Sequence, residues 1–266
     1  MEIDQLIEVL NQEIRKCHRC TLADTRTNAL CGEGNLHAQI MLIAQAPGKN
    51  EDREGRMFIG PSGKVLDELL SMAHIERKEI YMTNLIKCML PKCRRPKSGE
   101  IEICSRYLDR EIGLINPKVI VPLGYYATRY VVMKHNILVP EARADFKALY
   151  GKLFLAQNQK ILPLPHPATS LYDSSFKPGL FEKYRKLRVL SEPCKWYPLC
   201  SMKQLYKRGE LDREWIELFC KGDWESCFMY QMEEHGEHYP DSGSPNANPG
   251  QDIDKDLEVE PTNKSI

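Results

Sequence analysis

The sequence predicts an α/β domain built on a central parallel sheet flanked by helices, followed by a small Cys-rich C-terminal module and a disordered acidic tail. Three observations predict it. Short unbroken apolar runs alternate with stretches of helical period, cysteines and tryptophans crowd together past residue 190, and large apolar side chains almost vanish past residue 235. Strands covered on both faces read as continuous apolar runs, and their alternation with helices favours parallel order.

In chain order, Asp4–Lys16 carries Ile7, Leu10 and Ile14 at helical spacing and leads into Cys17-His18-Arg19-Cys20. Gln39–Ala44 is a short apolar run, hence a buried strand, and Gln45 to Pro61 is a loop rich in Gly, Pro and charge. Ser62 is placed to cap a helix whose Val65, Leu66, Leu69 and Leu70 share one face. Glu79–Leu85 is a second strand, Ser98 opens a helix to about Leu114, Val119–Leu123 is a third strand, and Tyr126–Lys134 is helical. Phe154 and Leu162–Leu164 supply further strand material, and Phe181–Leu190 is a closing helix before Pro193. The domains expected are 1–190, a module over 191–235, and a tail over 236–266 whose composition cannot offset chain entropy. Parallel sheets place ligand sites beyond the carboxyl ends of their strands, here Gln45, Asn84, Gly124 and Pro165 onward.

Composition narrows the function classes. With 42% hydrophobic and 28% charged residues and no apolar run near ~20 residues, a membrane protein is excluded. The acidic start, Met1-Glu2-Ile3-Asp4, lacks the basic region of a secretory signal, so the cytoplasm is the expected location. Ten cysteines in a reducing compartment then point to metal ligation rather than disulfides. Charge is uneven: residues 233–266 hold nine acids and two bases, leaving 35 bases against 28 acids for the body. A basic body attracts phosphate, and an acidic tail is a solvated terminus or a weak competitor for the same surface.

Cys17 and Cys20 form a C-x2-C pair, and Cys88 and Cys104 follow with fifteen residues between them. The short pair can grip one edge of a metal site, which the fold must complete with the long pair; zinc and a four-iron cluster are both allowed. Ala44-Gln45-Ala46-Pro47-Gly48, Glu51-Asp52 and Gly55-Arg56-Met57-Phe58-Ile59-Gly60-Pro61-Ser62-Gly63 form one motif, Thr83-Asn84-Leu85-Ile86-Lys87-Cys88 a second, and His166-Pro167-Ala168 a third. In order and spacing these resemble the iron–sulfur-containing family 4 uracil-DNA glycosylases, across roughly the first 190 residues. The resemblance implies a 4Fe-4S cluster on Cys17, Cys20, Cys88 and Cys104 and a four-stranded parallel sheet sandwiched by helices. It also implies DNA containing uracil, single- or double-stranded, as substrate, and a monomer is expected.

A glycosylase swings its nucleotide out of the stack, reads the base edge and stacks the base on an aromatic ring. Asn84 fits edge reading, because its amide offers a donor and an acceptor that complement uracil O4 and N3–H. Phe58 fits stacking. Negative charge grows on uracil O2 as the base departs, so donors aimed at O2 carry catalysis; His166 and the backbone near Gln45 and Ala46 are the candidates. Glu51 is the candidate carboxylate for the cationic sugar or the attacking water. No lysine is among the candidate catalytic residues, so no Schiff-base step is expected.

One residue departs from the family pattern. Gln45 stands where the family usually has Glu, and an amide cannot act as a base. Related glycosylases carry Gln at the analogous place, and the change leaves room for hypoxanthine or xanthine, or for a damage-binding protein without turnover. A redox protein built around the cysteines is a third reading, which explains neither His166 nor Asn84. Lys87, Lys92, Arg94, Arg95 and Lys97, five bases in eleven residues, suit phosphate contact, and Leu171 or Tyr172 suits the wedge that fills the gap in the stack. Cys194, Cys200, Cys220 and Cys227, with Trp196, Trp215 and Trp224, suggest a second metal standing in for a core too small to be stable alone.

Overall fold

A computed structural model describes residues 2–137, 145–156, 159–173, 175, 177–191, 193–198 and 200–235. The chain enters through α1 (Ile3–Arg15), which buries the stripe Ile7, Leu10 and Ile14. A two-residue strand, β1 (Glu33–Gly34), precedes β2 (Ile40–Ala44), and the loop beyond β2 contains a short helix, α2 (Lys49–Glu54). Then come α3 (Pro61–Met72), β3 (Ile80–Asn84), α4 (Ser98–Ile115), β4 (Val119–Pro122) and α5 (Tyr125–Lys134). β5 (Phe154–Ala156), β6 (Gln159–Ile161), α6 (Thr169–Tyr172) and α7 (Lys177–Ser191) complete the main body.

The strands form one sheet in the order β1-β3-β2-β4-β6-β5. Its four central strands are parallel, as expected, while β1 and β5 pair antiparallel at the two edges, making the sheet six-stranded and mixed. Every residue of β2, β3 and β4 is buried. Alternation divides them: Met41, Ile43, Tyr81 and Ile120 meet α1, α4 and α5 on one face. Ile40, Leu42, Met82 and Val121 meet α3 and α7 on the other.

Three local expectations are corrected. Gly60, not Ser62, is the N-cap of α3, and Pro61 takes the first turn, where its missing N–H costs nothing. Ser98 lies inside α4, whose first turn is closed by Glu100 accepting the Lys97 N–H at 2.8 Å. The strand expected at Leu162–Leu164 is centred three residues earlier, at β6, and continues as hydrogen bonds from Leu162 to Ile120 and from Leu164 to Pro122 and as a parallel bridge between Leu164 and Leu123.

Beyond α7, α8 (Ser201–Arg208), α9 (Arg213–Trp215), a π-turn (Ile216–Cys220) and α10 (Phe228–Glu234) enclose a separate small core of Met202, Ile216, Cys220, Cys227 and Met229. The expected disordered tail, 236–266, lies outside the described residues. Among the described residues, no helix is long and apolar enough to cross a membrane.

Candidate active site and cysteine cavity

The parallel register brings four strand ends side by side. Ala44 is level with Asn84, the N–H of Leu85 donates to Ala44 O at 2.8 Å, and the N–H of Ile86 donates to Gln45 O at 3.0 Å. On the other side the N–H of Gly124 donates to Leu164 O at 2.8 Å, two residues before His166. Gly124 has a φ of 82°, and a Cβ there would press on His166 Cβ at 3.3 Å, so the glycine allows the histidine turn to close on β4.

Three of the expected pocket residues come together on this rim. The rings of Phe58 and His166 stack with centroids 6.1 Å apart and an interplanar angle of 29°. Asn84 is buried, and its Nδ2 donates to the sulfur of Met57, the neighbour of Phe58, at 3.1 Å. A thioether is a weak acceptor, so the best donor on this amide is held by a partner that a base carbonyl readily displaces. Phe58 is itself buried within the core on the α3 side of the sheet, so its ring is held on the side that faces the protein.

His166 is defined further by its own turn. The N–H of Ala168 donates to His166 Nδ1 at 3.2 Å, which leaves the ring proton on Nε2. Burial pushes its pKa down to about 4, so the imidazole is neutral at physiological pH. The ring therefore offers one fixed N–H donor without a charge.

Phe58 adopts a left-handed backbone with φ of 51°, an outlier for an aromatic residue. The structure shows what holds it there, none of it foreseen from sequence. Arg77 donates to the carbonyls of Met57, Phe58 and Gly63 at 3.4, 2.8 and 3.2 Å, and the Met57 N–H donates to Glu33 of β1 at 2.6 Å. Gly63 is required by contact, since a Cβ there would lie 1.8 Å from Phe58 O. Asp52, buried at the centre of α2, accepts both Thr27 and Asn28 backbone N–H groups and ties the loop to the N-terminal segment. Arg77 and Glu33 act on main-chain groups, which leave no pattern in a sequence.

Glu51 lies on α2, with Oε1 accepting the Gly60 N–H at 3.1 Å. Gln45 and Ala46 are half-buried at the end of β2. Leu171 and Tyr172 stand on α6 just past His166, 47% and 89% exposed.

The four predicted ligand cysteines are also brought together. Cys17, Cys20, Cys88 and Cys104 line one cavity between the end of α1 and the side of α4, with Arg19, Arg26, Lys87 and Tyr107 around them. Arg26 Nη1 donates to Cys88 Sγ and the Lys87 N–H to Cys104 Sγ, each at 3.2 Å. Donors aimed at sulfur stabilise thiolate ligands, so the donor set fits a thiolate-bound metal or cluster. Burial pushes the Cys104 thiol up to about 11, against which the Lys87 N–H acts. Cys31 sits apart from this set, hydrogen-bonded to Asn11 O at 3.5 Å, and Cys93 is exposed.

The basic segment divides. Lys92, Arg95 and Lys97 are exposed, and Lys92 and Cys93 turn the chain through left-handed backbone with φ of 54° each. Arg94 is paired bidentately with Glu100 at 2.9 and 2.5 Å. Lys87 is not a phosphate contact: it is 1% exposed, and its Nζ donates to Glu111 and Thr83, each at 2.6 Å. The ion pair is enclosed, with the Lys87 and Glu111 side chains 2% and 0% exposed.

This arrangement, an aromatic ring, an amide and a neutral imidazole at the ends of parallel strands beside a cysteine-lined cavity, defines a class. Residues 31–187 match the Uracil DNA glycosylase superfamily, and the chain belongs to it. Within that class, similar proteins include type-4 uracil-DNA glycosylases. The one from Sulfurisphaera tokodaii is 36% identical over 79% of this chain and 93% of its own length. Those from Saccharolobus solfataricus and Archaeoglobus fulgidus are 38% and 34% identical, over 68% and 69% of this chain and 85% and 90% of theirs.

Proposed function

We propose that this chain is a monofunctional DNA repair glycosylase that hydrolyses the N-glycosidic bond of deoxyuridine in DNA and leaves an abasic site. The observation that carries the reading is the convergence of Phe58, His166 and Asn84 on one rim, each already oriented by its own turn or neighbour. The extruded uracil stacks on Phe58 and replaces the Met57 sulfur as partner of Asn84 Nδ2, through its O4; the amide oxygen then accepts N3–H. Cytosine presents the opposite donor and acceptor and leaves both amide groups unsatisfied.

As the glycosidic bond lengthens, His166 Nε2–H and the backbone N–H groups at Gln45 and Ala46 stabilise charge on O2. A neutral imidazole suits this task because it supplies a donor without protonating the base prematurely. Glu51, braced by Gly60, is the carboxylate that steadies the cationic sugar or orients water. Gln45 holds the loop as an uncharged amide. Lys87, the lysine of the second motif, has its ammonium paired with Glu111, which supports hydrolysis rather than Schiff-base chemistry.

Cys17, Cys20, Cys88 and Cys104 hold a 4Fe-4S cluster in this reading, whose contribution is to fasten the segment between β3 and α4. That segment presents Lys92, Arg95 and Lys97 to phosphates, and Leu171 or Tyr172 fills the vacated stack. The test is incubation of the purified protein with oligonucleotides carrying one uracil, hypoxanthine or xanthine, read as abasic sites. Cleavage at uracil is expected; binding to uracil DNA without abasic sites contradicts the reading.

A further inference from the structure

Past residue 187, where the superfamily match ends, the chain builds a unit with an unusual interior. It sits against β6 and α7: Lys160 donates to Lys221 O at 2.6 Å, Lys186 pairs with Asp223 at 2.7 Å, and Arg185 with Glu225 at 3.1 Å. Its buried core consists of Met202, Ile216 and Met229 together with Cys220 and Cys227. With Tyr197, Leu205, Leu211, Phe219 and Tyr230 only partly buried around it, this is a small core, and small units of this kind rely on a staple.

Four cysteines meet in that interior. The Cys194 N–H donates to Cys220 O at 2.8 Å, which joins the first to the third. Cys200 packs against the core that contains Cys220 and Cys227, and all four thiols lie within electrostatic reach of one another. No disulfide joins them. Cys220 is delivered by the π-turn, a rare element that tends to mark functional positions.

All four are free thiols, and thiolate is the form that ligates metal. Among the described residues no three such side chains already converge at the chelating distance of a single ion, in this quartet or in Cys17, Cys20, Cys88 and Cys104. Binding therefore draws the sulfurs inward or spans them with a cluster.

We propose that Cys194, Cys200, Cys220 and Cys227 hold a second metal centre, separate from the cavity beside α4, which supplies the core that the C-terminal unit lacks. The ligand class is a thiolate-preferring one, zinc or an iron–sulfur cluster. The proposal does not depend on the glycosylase reading.

The test is metal analysis of the full chain, purified without oxygen, with zinc, iron and sulfide counted per chain. The Cys17→Ser/Cys20→Ser variant isolates the second centre and is expected to retain about one zinc or about four iron with sulfide. Adding Cys220→Ser/Cys227→Ser is expected to remove that metal. Zinc alone or iron with sulfide identifies the centre, and either supports the proposal. A Cys17→Ser/Cys20→Ser protein without metal overturns it, as does metal that survives all four substitutions. If the variants do not fold, wild type decides: metal in excess of a single centre supports the proposal, and none in excess overturns it.

Discussion

Asn84 and Lys87 lie on the same segment, one at the end of β3 and the other just beyond it, and the fold gives them opposite fates. Asn84 is buried with its amide donor resting on the Met57 thioether, a partner weak enough to be exchanged. Lys87 is buried with its ammonium donating to Glu111 and Thr83 and with its own N–H spent on Cys104. The difference separates a site from its support. A buried polar group left with a poor partner is poised for a ligand, whereas one with strong partners belongs to the frame.

The largest effects should come from breaking the frame on one side only. Lys87→Met leaves Glu111 charged and unpaired, and is expected to cost about 3–5 kcal/mol in urea unfolding. The double variant Lys87→Met/Glu111→Leu should recover most of that loss, since no charge stays buried; equal destabilisation of both variants would remove the pair from the frame. On the rim, His166→Ala removes one donor from the developing O2 charge and should lower kcat by roughly 10²–10³ with little change in unfolding.

Titration sharpens the same contrast. His166 is held down to about 4 by burial, so the unfolded chain takes up a proton there before the folded protein does. Its share of stability is complete above the ordinary histidine value of about 6.5, is lost as pH falls from there to about 4, and is constant below. Replacing His166 with Gln should flatten the stability profile across that window. The smallest effect belongs to the exposed bases: Lys92→Ala/Arg95→Ala/Lys97→Ala should leave single-turnover cleavage at low salt intact. It should also reduce the slope of log affinity against log salt by about two to three.

The apolar runs that became β2, β3 and β4 were readable because burial on both faces leaves no polar alternation to confuse them. The edge strand β5 was marked by Phe154, but β1 was not readable. β1 is only Glu33–Gly34, and its pairing is set by β3 rather than by its own composition. α2 escaped because Lys49–Glu54 is polar throughout and has no apolar stripe to betray a helix. In the site, motif order alone brought Phe58, Asn84 and His166 to one rim and four cysteines to one cavity. Lys87 was misread because its carboxylate partner lies 24 positions away, so a basic run looked uniformly solvated. Arg77 was invisible for a different reason: besides the Asp67 carboxylate, its partners are the carbonyls of Met57, Phe58 and Gly63, and every residue has a carbonyl.

The central claim is that Asn84 reads the base through its paired donor and acceptor. Single-turnover cleavage of a uracil oligonucleotide by Asn84→Asp tests it most directly, with circular dichroism to confirm the fold. The account predicts loss of uracil cleavage in a folded protein, since a carboxylate has no donor for O4. Cleavage of uracil at the wild-type rate would contradict it.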